Sequence, residues 1–196
     1  MVMKKTAENL MTAFIGESQA RNRYTMWASI ARKEGYGLVS AIFLETADQE
    51  KEHASWYYRM IQELKKDEKF DELKVNTGGP TLDGTTKENL KAAIAGENYE
   101  WQTMYPDIAK TAEKDGYKGI AARVRSIARA EQHHAERYGK LLKLVGDDAF
   151  FKRGKKVVWV CMNCGYEMEL DSIPENFKCP SCEHDRSYFK IKNEDF

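Results

Sequence analysis

Four glutamates, Glu17, Glu50, Glu97 and Glu131, stand where helical apolar stripes would carry leucine or isoleucine, and Glu50 and Glu131 are followed at i+3 by His53 and His134. Residues three apart share a helix face, so each Glu-x-x-His offers a carboxylate and an imidazole in one direction. An unpaired carboxylate inside a bundle is costly, and four together repel one another. Divalent cations remove both penalties. A second set lies in the last quarter of the chain, where Cys161, Cys164, Cys179 and Cys182 form two C-x-x-C pairs separated by fourteen residues. Four thiolates at that spacing suit one tetrahedral zinc or iron rather than a disulfide framework. No His-Glu-x-x-His occurs, so a zinc protease finds no support, and no Gly-x-Gly-x-x-Gly nucleotide fingerprint is present.

The elements that must carry these groups are four stretches of helical apolar period within roughly the first 145 residues, centred on Leu10–Ala31, Val39–Leu64, Leu90–Ile108 and Ile120–Val145. Gly35-Tyr36-Gly37 and Asp115-Gly116-Tyr117 are tight breaks, so each pair predicts an antiparallel hairpin. The link from about Lys65 to Thr85 is long enough to cross the bundle, and Thr85 with Glu88 predicts a capping box where the third helix starts. One long crossover between two hairpins predicts a ferritin-like four-helix bundle, not an up-down one. Glu97 and Glu100 fall nineteen and sixteen residues before Gly116, and Glu131 and His134 fifteen and eighteen after it. Glu17 falls nineteen before Tyr36, and Glu50 and His53 fourteen and seventeen after it. At about 1.5 Å of rise per residue, the candidate ligands form one layer. A Glu from each of two helices plus a Glu-x-x-His from each of the others is the ligand set of di-iron and di-manganese carboxylate bundles.

The hairpins also read as copies. Ile15-Gly16-Glu17 parallels Ala95-Gly96-Glu97, and Lys33-Glu34-Gly35-Tyr36 parallels Lys114-Asp115-Gly116-Tyr117, although Glu17 to Glu50 is one residue shorter than Glu97 to Glu131. The copies differ at Glu100, whose counterpart is Ala20. Four carboxylates neutralise two ferrous ions, and a fifth neutralises two ferric ions with one hydroxide, so Glu100 is expected to serve as a redox-dependent ligand. Tyr24 and Tyr105, one to two turns after Glu17 and Glu97, are candidate hydrogen-bond and proton donors to the carboxylates. Pro106 is expected to kink the third helix, and His133 points away from His134 as a non-ligand.

After Gly146 the character changes. Residues 150–156 read as a basic linker, and the β-rich Val157-Val158-Trp159-Val160 leads into the first thiol pair. The expected division is a di-iron bundle at 1–146 and a small Fe(Cys)4 module at 155–196, too short to build much core without its metal. Spacing alone favours zinc there, but an adjacent two-iron site gives a one-electron iron a use. Trp159, Tyr166, Phe177, Tyr188 and Phe189 are expected to form its apolar shell.

The order of GESQARNRY, EKEH, GENYEWQTMYP, EQHH, VCMNCGY and CPSC closely resembles rubrerythrin over essentially the whole chain. The resemblance implies a homodimeric peroxidase that reduces hydrogen peroxide to water in oxidative-stress defence. It implies two irons in the bundle and one on the four thiols, and a ligand exchange between Glu100 and His53 on reduction; the donor types themselves leave zinc on the thiols or manganese in the bundle as substitutes. Electrons would come from a separate donor, a rubredoxin or an NAD(P)H-dependent reductase, through the thiolate iron. Two departures stand out: Glu183, where the family often has glycine, and a slightly longer spacer between the thiol pairs. Acidic and basic residues balance at 31 each, which argues against nucleic-acid or anionic-membrane partners. The start, MVMKKTAENLMTAF, reads as neither signal peptide nor membrane span, which predicts a cytoplasmic protein. A ferroxidase or iron-storage bundle, and a bundle with a structural zinc ribbon, are the alternative readings.

Overall fold

The computed structural model describes residues 5–66 and 69–192; Met1–Lys4, a short piece of the crossover and the last four residues of the tail lie outside them. Five helical segments make four rods: α1 (Lys5–Lys33), α2 (Gly37–Leu64), α3 (Thr86–Tyr99) continued by a π-helical turn (Glu100–Met104) into α4 (Tyr105–Lys114), and α5 (Lys118–Gly146). α1 pairs with α2, and α3 and α4 both pack along α5, as the two tight breaks predict. The crossover ends in the predicted capping box, with the Thr85 side chain accepting from the Glu88 N–H and Glu88 accepting from the Thr85 N–H at 2.8 Å.

The internal repeat has a structural counterpart in reciprocal caps. The Thr6 N–H and hydroxyl donate to Asp115 Oδ2 at 3.1 and 2.6 Å, while the Thr86 N–H donates to Glu34 Oε2 at 3.0 Å. Thr6 and Thr86 are repeat mates, as are Glu34 and Asp115, so the turn carboxylate of each hairpin caps the first helix of the other. A cap of this kind stabilises by about 1 kcal/mol. Gly35 and Gly116 take φ of 85° and 94°, a conformation that glycine adopts without strain.

The π turn accounts for the one-residue mismatch between the copies. The Tyr105 N–H bonds back to the Glu100 carbonyl, five residues earlier, so one extra residue is absorbed between Glu97 and Tyr105. Pro106, which has no N–H to give, sits at the start of α4, and the helix accommodates it through this wide turn. Apolar packing is divided by the polar layer: one cluster around Leu10, Tyr57, Ile61, Ile108 and Val124, another around Trp27, Val39, Phe43, Tyr138 and Leu141.

The second cluster runs on into the tail. Strands β1 (Lys152–Cys161), β2 (Glu167–Ser172) and β3 (Phe189–Ile191) form an antiparallel sheet in the order β2-β1-β3. Residues 150–156 are not a free linker. Phe150 and Phe151 are buried in the shared core, and β1 has begun by Lys152, because two adjacent aromatics bury more area than the flanking lysines can hold in water. The tail sits against the start of α2, where a Cβ on Gly37 would collide with the Ser187 carbonyl and where Arg32 Nη1 donates to the Tyr188 hydroxyl at 3.1 Å. Among the described residues no helix is long and apolar enough to cross a membrane.

Candidate metal centres

Six of the seven expected bundle ligands converge. Glu17, Glu50, His53 and Glu131 form one four-residue group, and Glu50, Glu97, Glu131 and His134 form a second, each with its ligand atoms within 4.8 Å of one another. Glu50 and Glu131, from the second helix of each hairpin, belong to both groups. Each sends one oxygen to each imidazole: His53 Nδ1 lies 3.0 Å from Glu50 Oε2 and 2.9 Å from Glu131 Oε1, and His134 Nδ1 lies 3.1 Å from Glu50 Oε1 and 2.8 Å from Glu131 Oε2. Glu17 approaches His53 at 3.9 Å and Glu97 approaches His134 at 3.6 Å. The two groups could each hold a cation, and Glu50 and Glu131 would be shared between them.

Glu17 and Glu131 are fully buried, Glu50, Glu97 and His134 nearly so. Glu17 Oε2, Glu50 Oε1, Glu97 Oε2 and both Glu131 oxygens nevertheless find no partner outside the layer, where only the two imidazoles and one another face them. Buried polar atoms in folded proteins are otherwise paired, so the residues fit a pair of cations.

Electrostatics give the same answer. Burial, with Glu131 and Glu50 beside it, pushes Glu17 well above the ordinary carboxylate range; burial and the Glu50 charge push Glu97 up to about 8. Burial would also raise Glu50, but the hydrogen bonds from His134 and His53 outweigh it and hold the carboxyl at about 2. Burial disfavours charge on the two imidazoles, yet Glu131 and Glu50 prevail, taking His53 to about 10 and His134 to about 12. Without cations, protons on the ligands must do the neutralising.

Glu100 is in neither group. It lies on the π turn with Oε1 toward α1, where a Cβ on Gly16 would come within 3.9 Å of it, and burial followed by Glu97, Glu131 and Glu50 raises its carboxyl well above the usual range. The tyrosines bond crosswise. Tyr24 donates to Glu97, and Tyr105 donates to Glu17 Oε1 at 2.5 Å, so each phenol holds the carboxylate of the other hairpin. Two further phenols complete the pattern: Tyr138 packs edge-on against Tyr24, and Tyr57 lies tilted against Tyr105, both with ring centroids 5.5 Å apart. Their signal was present in the sequence, since Tyr57 and Tyr138 each follow a bridging glutamate by seven residues. His133 is outside both groups.

The four thiols also converge. Cys161 Sγ lies 3.8 Å from Cys182 Sγ, and Cys164 Sγ lies 3.6 Å from Cys179 Sγ. A tetrahedron with metal–sulfur bonds of about 2.3 Å has edges of about 3.8 Å, so the cage fits one metal. The two knuckles are alike: the Gly165 N–H donates to the Cys161 carbonyl and the Glu183 N–H to the Cys179 carbonyl, both at 2.9 Å. Gly165 has φ 77° and Glu183 φ 60°, so the glutamate leaves the turn unchanged and carries the strain of a left-handed side chain. The backbone N–H of His184 draws the Cys182 thiol down to about 6, whereas burial pushes Cys161 up to about 12. Trp159 and Phe189 are buried and Phe177 and Tyr188 pack beside them, but Tyr166 is exposed, because it follows the first knuckle where the chain turns outward.

The model of the rubrerythrin family matches residues 8–142, and that of the rubrerythrin rubredoxin-like domain matches residues 159–190. The chain belongs to the rubrerythrin family. Among its relatives, rubrerythrin-1 of Clostridium acetobutylicum is 47% identical over 98% of this chain and 96% of its own length. A rubrerythrin of Porphyromonas gingivalis is 44% identical over 95% and 89%. A structure of fully reduced, all-ferrous nigerythrin superposes with a TM-score of 0.64 at 28% identity, covering 97% of this chain and 88% of that one. Membership makes the carboxylate–histidine cluster the di-iron site and the four thiols the rubredoxin-like iron site.

Proposed function

We propose that the chain is a peroxidase that reduces hydrogen peroxide to water, its bundle at 1–146 doing the reduction and its thiolate module at 155–196 relaying electrons. The observation that carries this reading is the pair of ligand groups sharing Glu50 and Glu131 in a buried layer, within one chain that also holds a four-thiol cage. Glu17, Glu50, His53, Glu97, Glu131 and His134 would hold two irons, and Cys161, Cys164, Cys179 and Cys182 one. When bound, the iron pair supplies the two electrons that O–O cleavage needs. The protein's part is positional. Glu50 and Glu131 would each offer an oxygen to both cations, and the apolar clusters above and below the layer limit the access of bulk water. Tyr24 and Tyr105 hold protons at carboxylate oxygens, beside the place where peroxide must gain two of them. Glu100 stands ready as the fifth carboxylate for the more highly charged oxidised pair.

Electrons would enter from a separate rubredoxin or NAD(P)H-dependent reductase, because no nucleotide fingerprint is present. A cytoplasmic homodimer completes the reading. Metal analysis and a visible spectrum of anaerobically purified protein test it. About three irons per chain and a red oxidised form are expected. A colourless protein with one zinc on the thiols would refute the electron relay while leaving the bundle site standing.

A further inference from the structure

The two imidazoles of the di-iron site are not held alike. His134 is almost fully buried, and its Nε2 lies 3.0 Å from Gln49 Oε1. The Gln49 amide donates in turn to Glu45 Oε1 at 3.4 Å, and Glu45 receives both Nη1 and Nη2 of the buried Arg137 at 3.0 and 2.9 Å. This chain fixes the direction of the amide. With its N–H₂ group toward a carboxylate, Gln49 must present its oxygen to His134, which demands a proton on Nε2 and leaves Nδ1 for a metal.

The internal repeat shows that the arrangement is one-sided. The counterparts of Gln49, Glu45 and Arg137 beside the other imidazole are Ala130, Ser126 and Trp56, none of which can reproduce it. His53 has a side chain 13% exposed and lines a surface cleft with Glu45, Asp48, Gln49 and Glu52. Glu100, the extra carboxylate, likewise occurs in one half only, its counterpart being Ala20.

We infer that Gln49, oriented by Glu45 and Arg137, is a positioning residue that pins His134 to its metal and so confines ligand rearrangement to His53. The inference rests on the di-iron reading above. A partner behind a metal-bound imidazole fixes its tautomer and ring orientation, and its loss weakens metal binding by about ten- to a hundredfold. The asymmetry would decide which of two otherwise matched irons changes its ligands.

The test uses full-length protein loaded with cobalt(II), whose paramagnetism shifts the N–H resonances of bound imidazoles away from all others. Thiolate-bound cobalt gives no such N–H signal. Wild type should show two shifted imidazole N–H resonances, one exchanging with solvent more slowly than the other. Gln49→Ala should remove that protection and release one of the two bundle cobalts about ten- to a hundredfold faster, and Gln49→Leu, which keeps the length of the side chain without its acceptor, should do the same. Equal exchange of the two wild-type resonances, or unchanged protection in Gln49→Ala, would overturn the role of Gln49 alone. Absence of any cobalt-bound imidazole in wild type would instead contradict the di-iron reading. If Gln49→Ala does not fold, the wild-type comparison and Gln49→Leu decide the question between them.

Discussion

Filling the bundle site should expel protons in a number that the site's electrostatics fix. At neutral pH the metal-free cluster carries a proton on His53, held up to about 10, and one on His134, held up to about 12. Neither imidazole can bind a cation through Nδ1 until that proton leaves. Glu97, raised to about 8, holds most of a third proton at pH 7, and Glu17 is raised as well. At least two protons should therefore appear for each pair of metals, and up to about four if both terminal carboxylates also ionise. By linkage, release of two protons raises the overall binding constant about a hundredfold per pH unit. Calorimetric titration with manganese(II), which favours the carboxylates over the thiols, in buffers of different ionisation enthalpy gives the proton count directly. The sign for stability is set by the same groups. Both imidazole pKa values are raised above about 6.5, so their contribution to the metal-free fold is complete below that value and is lost as pH rises through 10 and 12. Glu97, a carboxyl raised to about 8, also favours the metal-free fold less as pH climbs through that range. The gain in Tm on adding manganese should accordingly grow with pH. Release of less than about one proton per metal pair, with affinity flat between about pH 6 and 8, would refute the neutralisation argument.

Other predictions follow from single contacts. Glu100→Ala should still take up two irons per bundle but shift the reduction potential upward and slow oxidation by peroxide; unchanged potential and rate would make Glu100 a bystander. Tyr24→Phe and Tyr105→Phe each remove one hydrogen bond to a buried carboxylate, at a cost of about 1.5–3 kcal/mol if the carboxylate is ionised, and peroxide reduction should slow while iron content holds. Iron loss in either variant would show instead that the phenol is needed to assemble the site. Glu183→Gly relieves a left-handed glutamate and should stabilise the tail by about 0.5–1 kcal/mol, read as a higher melting temperature with an unchanged visible spectrum.

The ligand layer was legible because burial and charge conflict in the sequence itself. Glutamates on apolar stripes, repeated at matched distances from two turns, leave few arrangements other than a shared metal site. The crossover cap at Thr85 and the two hairpins were legible for the same reason, since local chemistry settles them. Contacts between distant segments were not. Tyr24 and Tyr105 reach across to the opposite hairpin, a direction that spacing along one helix does not encode. Gln49 precedes Glu50 on α2 and reads as a surface amide until α5 brings His134 beside it. The π turn was visible only as one surplus residue between the repeats, and the proline masked it by offering a simpler cause. Phe150 and Phe151 looked like linker because lysine and arginine follow them, whereas their burial depends on the bundle end against which they fold.

The most direct test of the account is an anaerobic titration of fully reduced, three-iron protein with hydrogen peroxide. Two bundle irons and one thiolate iron yield three electrons, and each peroxide consumes two, so complete oxidation should need about one and a half equivalents per chain. The red colour of the oxidised thiolate centre should develop after the bundle irons are spent, or together with them once electrons redistribute. Failure of peroxide to oxidise the bundle irons, or a thiolate centre that stays reduced while excess peroxide persists, would contradict the assignment.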